Sequence, residues 1–120
     1  DRISFHGGDF YDTDIPSADV VIFGNVLHDC PVEARKSLIA QAASRVPVGG
    51  TVIVYDPMVN DDRTSTDTLL LSLTMMLQSP AGNEYTPTEC RSWMEEAGLT
   101  IEDTFELPGH ATAVIGRKTA

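Results

Sequence analysis

Three short stretches end in residues whose types suit proton transfer and ligand binding: Gly8-Asp9-Phe10, His28-Asp29 and Asp56. Histidine titrates at about 6.5 when unperturbed, so His28 can serve as a general base near neutral pH. A carboxylate beside the ring would both orient it and raise its pKa, and Asp56 and Glu84 are the candidates for that task. Asp9 followed by Phe10 sets a hydrogen-bond acceptor next to an aromatic ring, a pair that can take a purine amino group while the ring stacks on the base. Plainer roles stand beside these. His28-Asp29 can end a strand, with Asp29 capping the helix after Pro31. Asp9-Phe10 can be a turn aspartate before a core aromatic, and Glu84 a solvated loop carboxylate. His6 by strand alternation and His110 in a hairpin-like corner read as structural or surface residues. Met75, Met76 and Trp93 fall on helical stripes and read as core, although methionines also line flexible apolar pockets. Cys30 is either a reactive thiol or a filler of a small space beside a helix start. Asp61-Asp62 reads as the surface of a helix start.

The elements that must position these residues follow from hydrophobic period and punctuation. Arg2 to His6 reads as a short strand closed by Gly7-Gly8, and Ala18 to Phe23, "ADVVIF", as a continuous apolar strand; both have the look of strands buried on two faces. From Pro31 the apolar residues Val32, Leu38, Ile39, Ala42, Ala43 and Val46 recur at helical spacing, until Pro47 and Gly49-Gly50 stop the helix. "TVIVYDPMV" is a second buried-type strand, rich in β-branched residues and ended by Asp56-Pro57. A helix is expected over about Ser65 to Gln78, with Leu69, Leu70, Leu73, Met76 and Leu77 as its apolar stripe. Thr86, Pro87 and Glu89 form a capping-box start for a further helix that carries Cys90, Trp93, Met94 and Ala97 and ends at Gly98. Strands around Thr100 to Glu106 and Ala111 to Gly116 flank Leu107-Pro108-Gly109-His110 as an antiparallel pair. The sum is an α/β pattern, mostly parallel with an antiparallel finish. In open sheets of that kind ligands sit beyond the carboxyl ends of the strands, which is where the polar residues fall.

Composition bounds the rest. The chain has 120 residues, 42% of them hydrophobic and 22% charged, enough for one domain with a modest core. A formal charge of −10 at pH 7 speaks against nucleic acid or an anionic membrane as partner, since phosphate binding needs clustered Lys and Arg. No apolar stretch approaches the roughly 20 residues of a membrane span. Cys30 and Cys90 match neither a disulfide framework nor a zinc spacing, so no metal site is expected and a reduced, cytoplasmic setting is the default. Because the chain opens on Asp1-Arg2-Ile3, the start of the protein is expected upstream.

These residues carry a resemblance. "GGDFYDTDIPSADVVIFGNVLHDC", "VPVGGTVIVYDPMV" and "GNEYTPTECRSWMEEAGL", in order and at fitting distances, resemble the small-molecule O-methyltransferases of the plant caffeic-acid and flavonoid type and the bacterial polyketide type, over essentially the whole chain. The resemblance implies S-adenosylmethionine as cofactor and a small hydroxylated, aromatic or polyketide acceptor. It implies that His28 is the catalytic base flanked by Asp56 and Glu84, that Gly8, Asp9, Phe10 and Asn25 lie against the cofactor, and that Asp29 and Met76 lie against the acceptor. A phenolic hydroxyl has a pKa of about 10, so removal of its proton by a positioned histidine contributes about 10²–10⁴-fold. Three positions depart from the family pattern: Cys30 replaces the usual Trp after His-Asp, Gly24 a common Lys, and Asp56 a Glu. Nothing in the chain corresponds to the family's first strand, acidic G-x-G-x-G loop and second strand, so the expected fold is a partial Rossmann-like sheet lacking its first two strands. That makes the chain the C-terminal portion of a catalytic domain, one that alone would neither bind the cofactor tightly nor turn over. Family members also carry an N-terminal dimerisation domain, from which a homodimer of the complete protein follows. Some bacterial relatives have moved to cofactor-dependent hydroxylation or decarboxylation, and a non-catalytic α/β binding module is the alternative of a different class.

Overall fold

Alternate burial along Thr51-Val-Ile-Val-Tyr-Asp56 sets the orientation of the whole sheet: Val52, Val54 and Asp56 are fully buried, while Thr51, Ile53 and Tyr55 are half-buried. In the computed structural model, which describes all 120 residues, four strands form one sheet. These are β1 (Val20–Gly24), β2 (Thr51–Asp56), β3 (Leu99–Glu106) and β4 (Thr112–Lys118), in the order β1-β2-β4-β3. β1 and β2 are parallel, and β4 runs antiparallel to both β2 and β3. Three of the four strands therefore point the same way, with the antiparallel finish expected from the Leu107–His110 corner.

Three helices connect them: α1 (Val32–Arg45), α2 (Thr66–Gln78) and α3 (Pro87–Glu96). α1 buries Leu38, Ile39, Ala42 and Ala43, an i, i+1, i+4, i+5 stripe, against β2, and α3 packs on β3, β4 and α1. α3 begins as its sequence requires. Thr86 Oγ1 accepts from the Glu89 amide (3.2 Å), the Glu89 carboxylate accepts from the Thr86 amide (2.8 Å), and Pro87 occupies the first turn. Gly98, at φ +85°, ends the helix in a conformation that favours glycine.

Several expectations fail, each for an identifiable reason. Arg2–His6 forms no strand and is exposed, because the sheet offers it no ladder partner. β1 is an edge strand with Val20 and Ile22 exposed rather than buried on both faces, since α1 and α3 lie on one side of the sheet and nothing covers the other near β1. The apolar stripe of α2 is likewise largely uncovered: of the five residues expected on it, Leu70, Leu73, Met76 and Leu77 are exposed and Leu69 is half-buried, as is Met75, and only Thr68 of the helix is buried. Met75 and Met76 are therefore not core residues, whereas Trp93 is. Asp29 does not cap α1; Pro31 holds the cap position, and Asp29 closes a short 3₁₀ turn, Leu27–Asp29.

Candidate functional site

The turn that follows β1 is built by its neighbours. Gly24 stands opposite Tyr55 in the parallel register, and a Cβ at Gly24 would come within 2.2 Å of the Tyr55 ring, so only glycine lets that ring cross the strand. Asn25 then adopts φ +53°, with its amide donating to the Tyr55 carbonyl (3.0 Å). The chain leaves the sheet here, and the 3₁₀ turn aims His28 back over its carboxyl end.

His28 is brought directly to Glu84. Its Nδ1 lies 2.6 Å from Glu84 Oε1, with the imidazole 12% exposed and the Glu84 side chain wholly inaccessible. A carboxylate only accepts, so Nδ1 carries the proton of this bond and Nε2 keeps its lone pair in the neutral ring. Asp29 Oδ2 is 3.9 Å from Nε2, and its side chain is half exposed. The Glu84 hydrogen bond raises His28 above its ordinary pKa; partial burial opposes this, and the charges of Glu84, Asp56 and Asp29 add to it.

Asp56 ends β2 fully buried, and the Tyr85 hydroxyl donates to its Oδ2. Burial pushes the Asp56 carboxyl up to about 6, against the opposing effects of the Tyr85 hydrogen bond and the His28 charge. Burial also holds Tyr85 well above its usual range, so the shared proton stays on the phenol. Asp56 Oδ1 and Glu84 Oε2 are both buried without a hydrogen-bond partner. Of the two carboxylates expected to flank His28, only Glu84 touches it; Asp56 makes no hydrogen bond or ion pair with the imidazole and acts on it through its charge alone. The expectation that Glu84 is a solvated loop carboxylate thus fails. It is buried, and its amide is held by Ser72 Oγ of α2 (3.1 Å).

The remaining candidates lie further out. Asp9 forms a tight turn in which its Oδ1 accepts from the Tyr11 amide (2.9 Å) and its carbonyl from the amides of Asp12 and Thr13. Phe10 is 43% exposed, its ring tilted against Tyr11 with centroids 4.7 Å apart, and so is not a core aromatic. Gly8 approaches Thr13 closely enough that a Cβ would lie 2.8 Å from its hydroxyl. A shallow cavity of about 110 Å³ opens among His6, Gly8, Phe10, Thr13 and Ile15. The Tyr11 hydroxyl donates to Cys30 Sγ (3.3 Å), which ties this turn to the end of the His28 turn. Cys30 is buried and fills space there. Met76 is exposed on α2, and His110 is a surface residue 3.7 Å from Asp67. A groove of about 320 Å³ between the β3–β4 corner and the start of α2, lined in part by Asn60, Thr68, Glu106 and His110, includes neither His28, Asp56 nor Glu84.

Sequence reasoning missed Arg35, Asn83 and Tyr85. Arg35 lies on the α1 stripe at i, i+3, i+4 and i+7 with Leu38, Ile39 and Ala42, and a cation on an apolar stripe was the signal.

A sheet with three strands in one direction, and an imidazole–carboxylate pair delivered beyond the ends of its parallel strands, has the layout of a Rossmann-like α/β catalytic domain. The chain belongs to the O-methyltransferase domain family, whose model matches residues 1–100. It is 45% identical over 119 residues to the tetracenomycin polyketide synthesis 8-O-methyl transferase TcmO of Streptomyces glaucescens, covering 98% of this chain and 35% of that protein. It is 38% identical over 106 residues to the N,N-dimethyltransferase OxyT of Streptomyces rimosus, covering 88% and 31%. The crystal structure of human N-acetylserotonin methyltransferase in complex with SAM superposes with a TM-score of 0.90 at 29% identity, over 99% of this chain and 34% of that one. The chain thus spans about a third of the length of these relatives.

Proposed function

We propose that this chain is the C-terminal portion of the catalytic domain of an S-adenosylmethionine-dependent methyltransferase, in which His28 takes the proton from a hydroxyl of a small aromatic or polyketide acceptor. The observation that carries this is the 2.6 Å contact between His28 Nδ1 and Glu84. It fixes the tautomer, leaves Nε2 as the basic atom, and stabilises the imidazolium that forms once the proton has moved. Asp56 adds negative charge behind the ring, and Asp29 stands beside Nε2 at the acceptor side.

S-adenosylmethionine, when bound, supplies a methyl group on a sulfonium, which needs no acid to help its leaving group depart. The fit of this chain to that group rests on Asp9 and Phe10. The aspartate uses only Oδ1 in its turn, and its neighbours Gly8 and Phe10, the latter's ring exposed, line a small cavity, a setting for a purine amino group and its base. Gly8 lets the backbone turn tightly there, and Asn25, exposed at the end of β1, faces solvent on the carboxyl side of the sheet.

TcmO is an 8-O-methyl transferase, which supports a hydroxyl acceptor, and OxyT is an N,N-dimethyltransferase, which keeps an amine acceptor as the second reading. No helix is long and apolar enough to cross a membrane, and both cysteines are free and buried, which fits a reducing cytoplasmic setting. The uncovered apolar face of α2 fits burial within a larger assembly such as a homodimer of the complete protein.

In the complete protein, His28→Ala should lower methyl transfer to a phenolic acceptor by about 10²–10⁴-fold while cofactor affinity changes little. Unchanged turnover removes His28 from the chemistry. Transfer to amines in preference to matched phenols would establish the second reading.

A further inference from the structure

We propose that Arg35 is a positioning residue for the His28–Glu84 pair: one guanidinium bonds simultaneously the carbonyl before His28 and two oxygens of the residue before Glu84, and so sets how far apart imidazole and carboxylate stand. This rests on the assignment of His28 as the base, but its geometric content can be tested without turnover.

Arg35 is 1% exposed and projects from the first turn of α1 into the space between two chain segments that have no covalent reason to meet. Nε donates to the Leu27 carbonyl at 2.8 Å. Nη2 donates to the Asn83 carbonyl at 2.8 Å and to Asn83 Oδ1 at 2.7 Å. The Asn83 amide in turn donates to the His28 carbonyl at 3.1 Å, closing a ring of hydrogen bonds around the two turns. The flat guanidinium also lies over Tyr85 (4.9 Å to the ring centre) and beside Trp93 (5.7 Å), so its plane is held as well as its donors.

Support for the backbone alone does not require a cation. Burying a guanidinium is costly, and an apolar side chain of similar volume packs a core as well or better. No carboxylate lies within ion-pair range of Arg35, so the charge is not spent on a salt bridge. What arginine alone provides is a rigid fork that reaches two segments in one plane. Lysine, with a single ammonium on a flexible stem, keeps the charge but cannot reproduce that fork.

The measurement is the titration of the His28 ring by NMR in the complete protein. Glu84, Asp56 and Asp29 are the groups whose charge acts on the imidazole, and Asp56 is itself acted on by the Arg35 charge and the hydrogen bond from the un-ionised Tyr85 phenol. Arg35→Lys should lower the His28 pKa toward its ordinary value, because the Glu84 contact lengthens while the net charge is unchanged. Glu84→Gln supplies the reference in which the contact carries no charge, and Arg35→Lys added to Glu84→Gln should produce no further shift. An unchanged His28 pKa in Arg35→Lys, or an equal shift in both backgrounds, overturns the proposal. Should Arg35→Lys fail to fold, Asn83→Ala decides: the side chain at 83 is exposed and its loss should leave the fold intact. It removes one of the three bonds and should lower the pKa in the same direction by less; no shift there overturns the proposal too. His28→Ala with undiminished methyl transfer would refute the base assignment and leave this coupling standing, so the two can fail separately.

Discussion

The pair His28 and Asp56 makes the stability of this chain depend on pH in a direction opposite to that of an ordinary paired carboxylate. Asp56 binds its proton more tightly folded than unfolded, since burial lifts its pKa from 3.8 to about 6. Between those values the folded state holds a proton that the unfolded state has lost, so stability falls as pH rises through the window. A difference of about two units is worth about 3 kcal/mol at most. His28, raised by Glu84, acts in the same direction at higher pH: its contribution is complete below 6.5 and is lost as pH rises through its folded value. Thermal melts from pH 4 to 8 should therefore show Tm falling with pH. Asp56→Asn, which removes the first contribution, should be more stable than the parent at pH 8, by about 1–3 kcal/mol, and no more stable near pH 4. A wild-type Tm that climbs across this window would refute the assignment. Such a destabilising buried carboxylate, whose charge reaches the His28 imidazole, fits a site shaped at the expense of stability.

At the scale of elements, legibility followed locality. The start of α3 was readable to the residue because a capping box is a contact between positions three apart, and Gly98 was readable because only its own backbone demands it. β2 and the antiparallel pair β3 and β4 declared themselves through β-branched alternation and a turn. What failed depended on neighbours. "ADVVIF" and the α2 stripe are apolar as if fully covered, but which faces are covered is decided by other elements: Val21 and Phe23 pack on the core while Val20, Ile22 and most of the α2 stripe stay exposed. Arg2–His6 failed for the same reason. In the site, His28, Asp56 and Glu84 were found by type, and the first and last meet as expected; Arg35 and Asn83 were missed because they join turns 56 residues apart in sequence. The capping box gives this scale its prediction. Thr86 follows Tyr85 and Glu84 directly, so fraying of α3 loosens the residues that hold Asp56 and His28. Thr86→Ala should cost about 1 kcal/mol in denaturant unfolding, while Thr86→Ser should cost less because it keeps the oxygen. Equal losses in the two variants would show that the methyl contact, not the cap, stabilises the turn.

Across the whole molecule, charge and uncovered apolar surface oppose each other. Eighteen acidic residues against eight basic ones leave ten unbalanced negative charges on a body with a radius of gyration of 14.3 Å. At about 0.01 M salt the screening length, about 30 Å, exceeds that radius, so the excess negative charges repel one another across the whole body; at about 0.15 M it falls to about 8 Å and most of the repulsion vanishes. Exposed ion pairs such as Lys36–Glu96, Arg45–Asp14 and Arg117–Glu102 weaken over the same range, but each is worth only about 0–1 kcal/mol. Salt should therefore raise Tm, since relief of an excess of ten charges outweighs the loss of a few surface pairs. The same screening lets copies approach, and the exposed Val20, Ile22, Leu73, Met76 and Leu77 give them apolar surface to bury. Sedimentation should then show a rising mean mass as salt is added. Leu73→Gln combined with Leu77→Gln separates the two effects: it should suppress the association and leave the rise in Tm intact. A Tm that stays flat or falls with salt would mean that surface pairing, rather than net charge, governs the electrostatics of this chain.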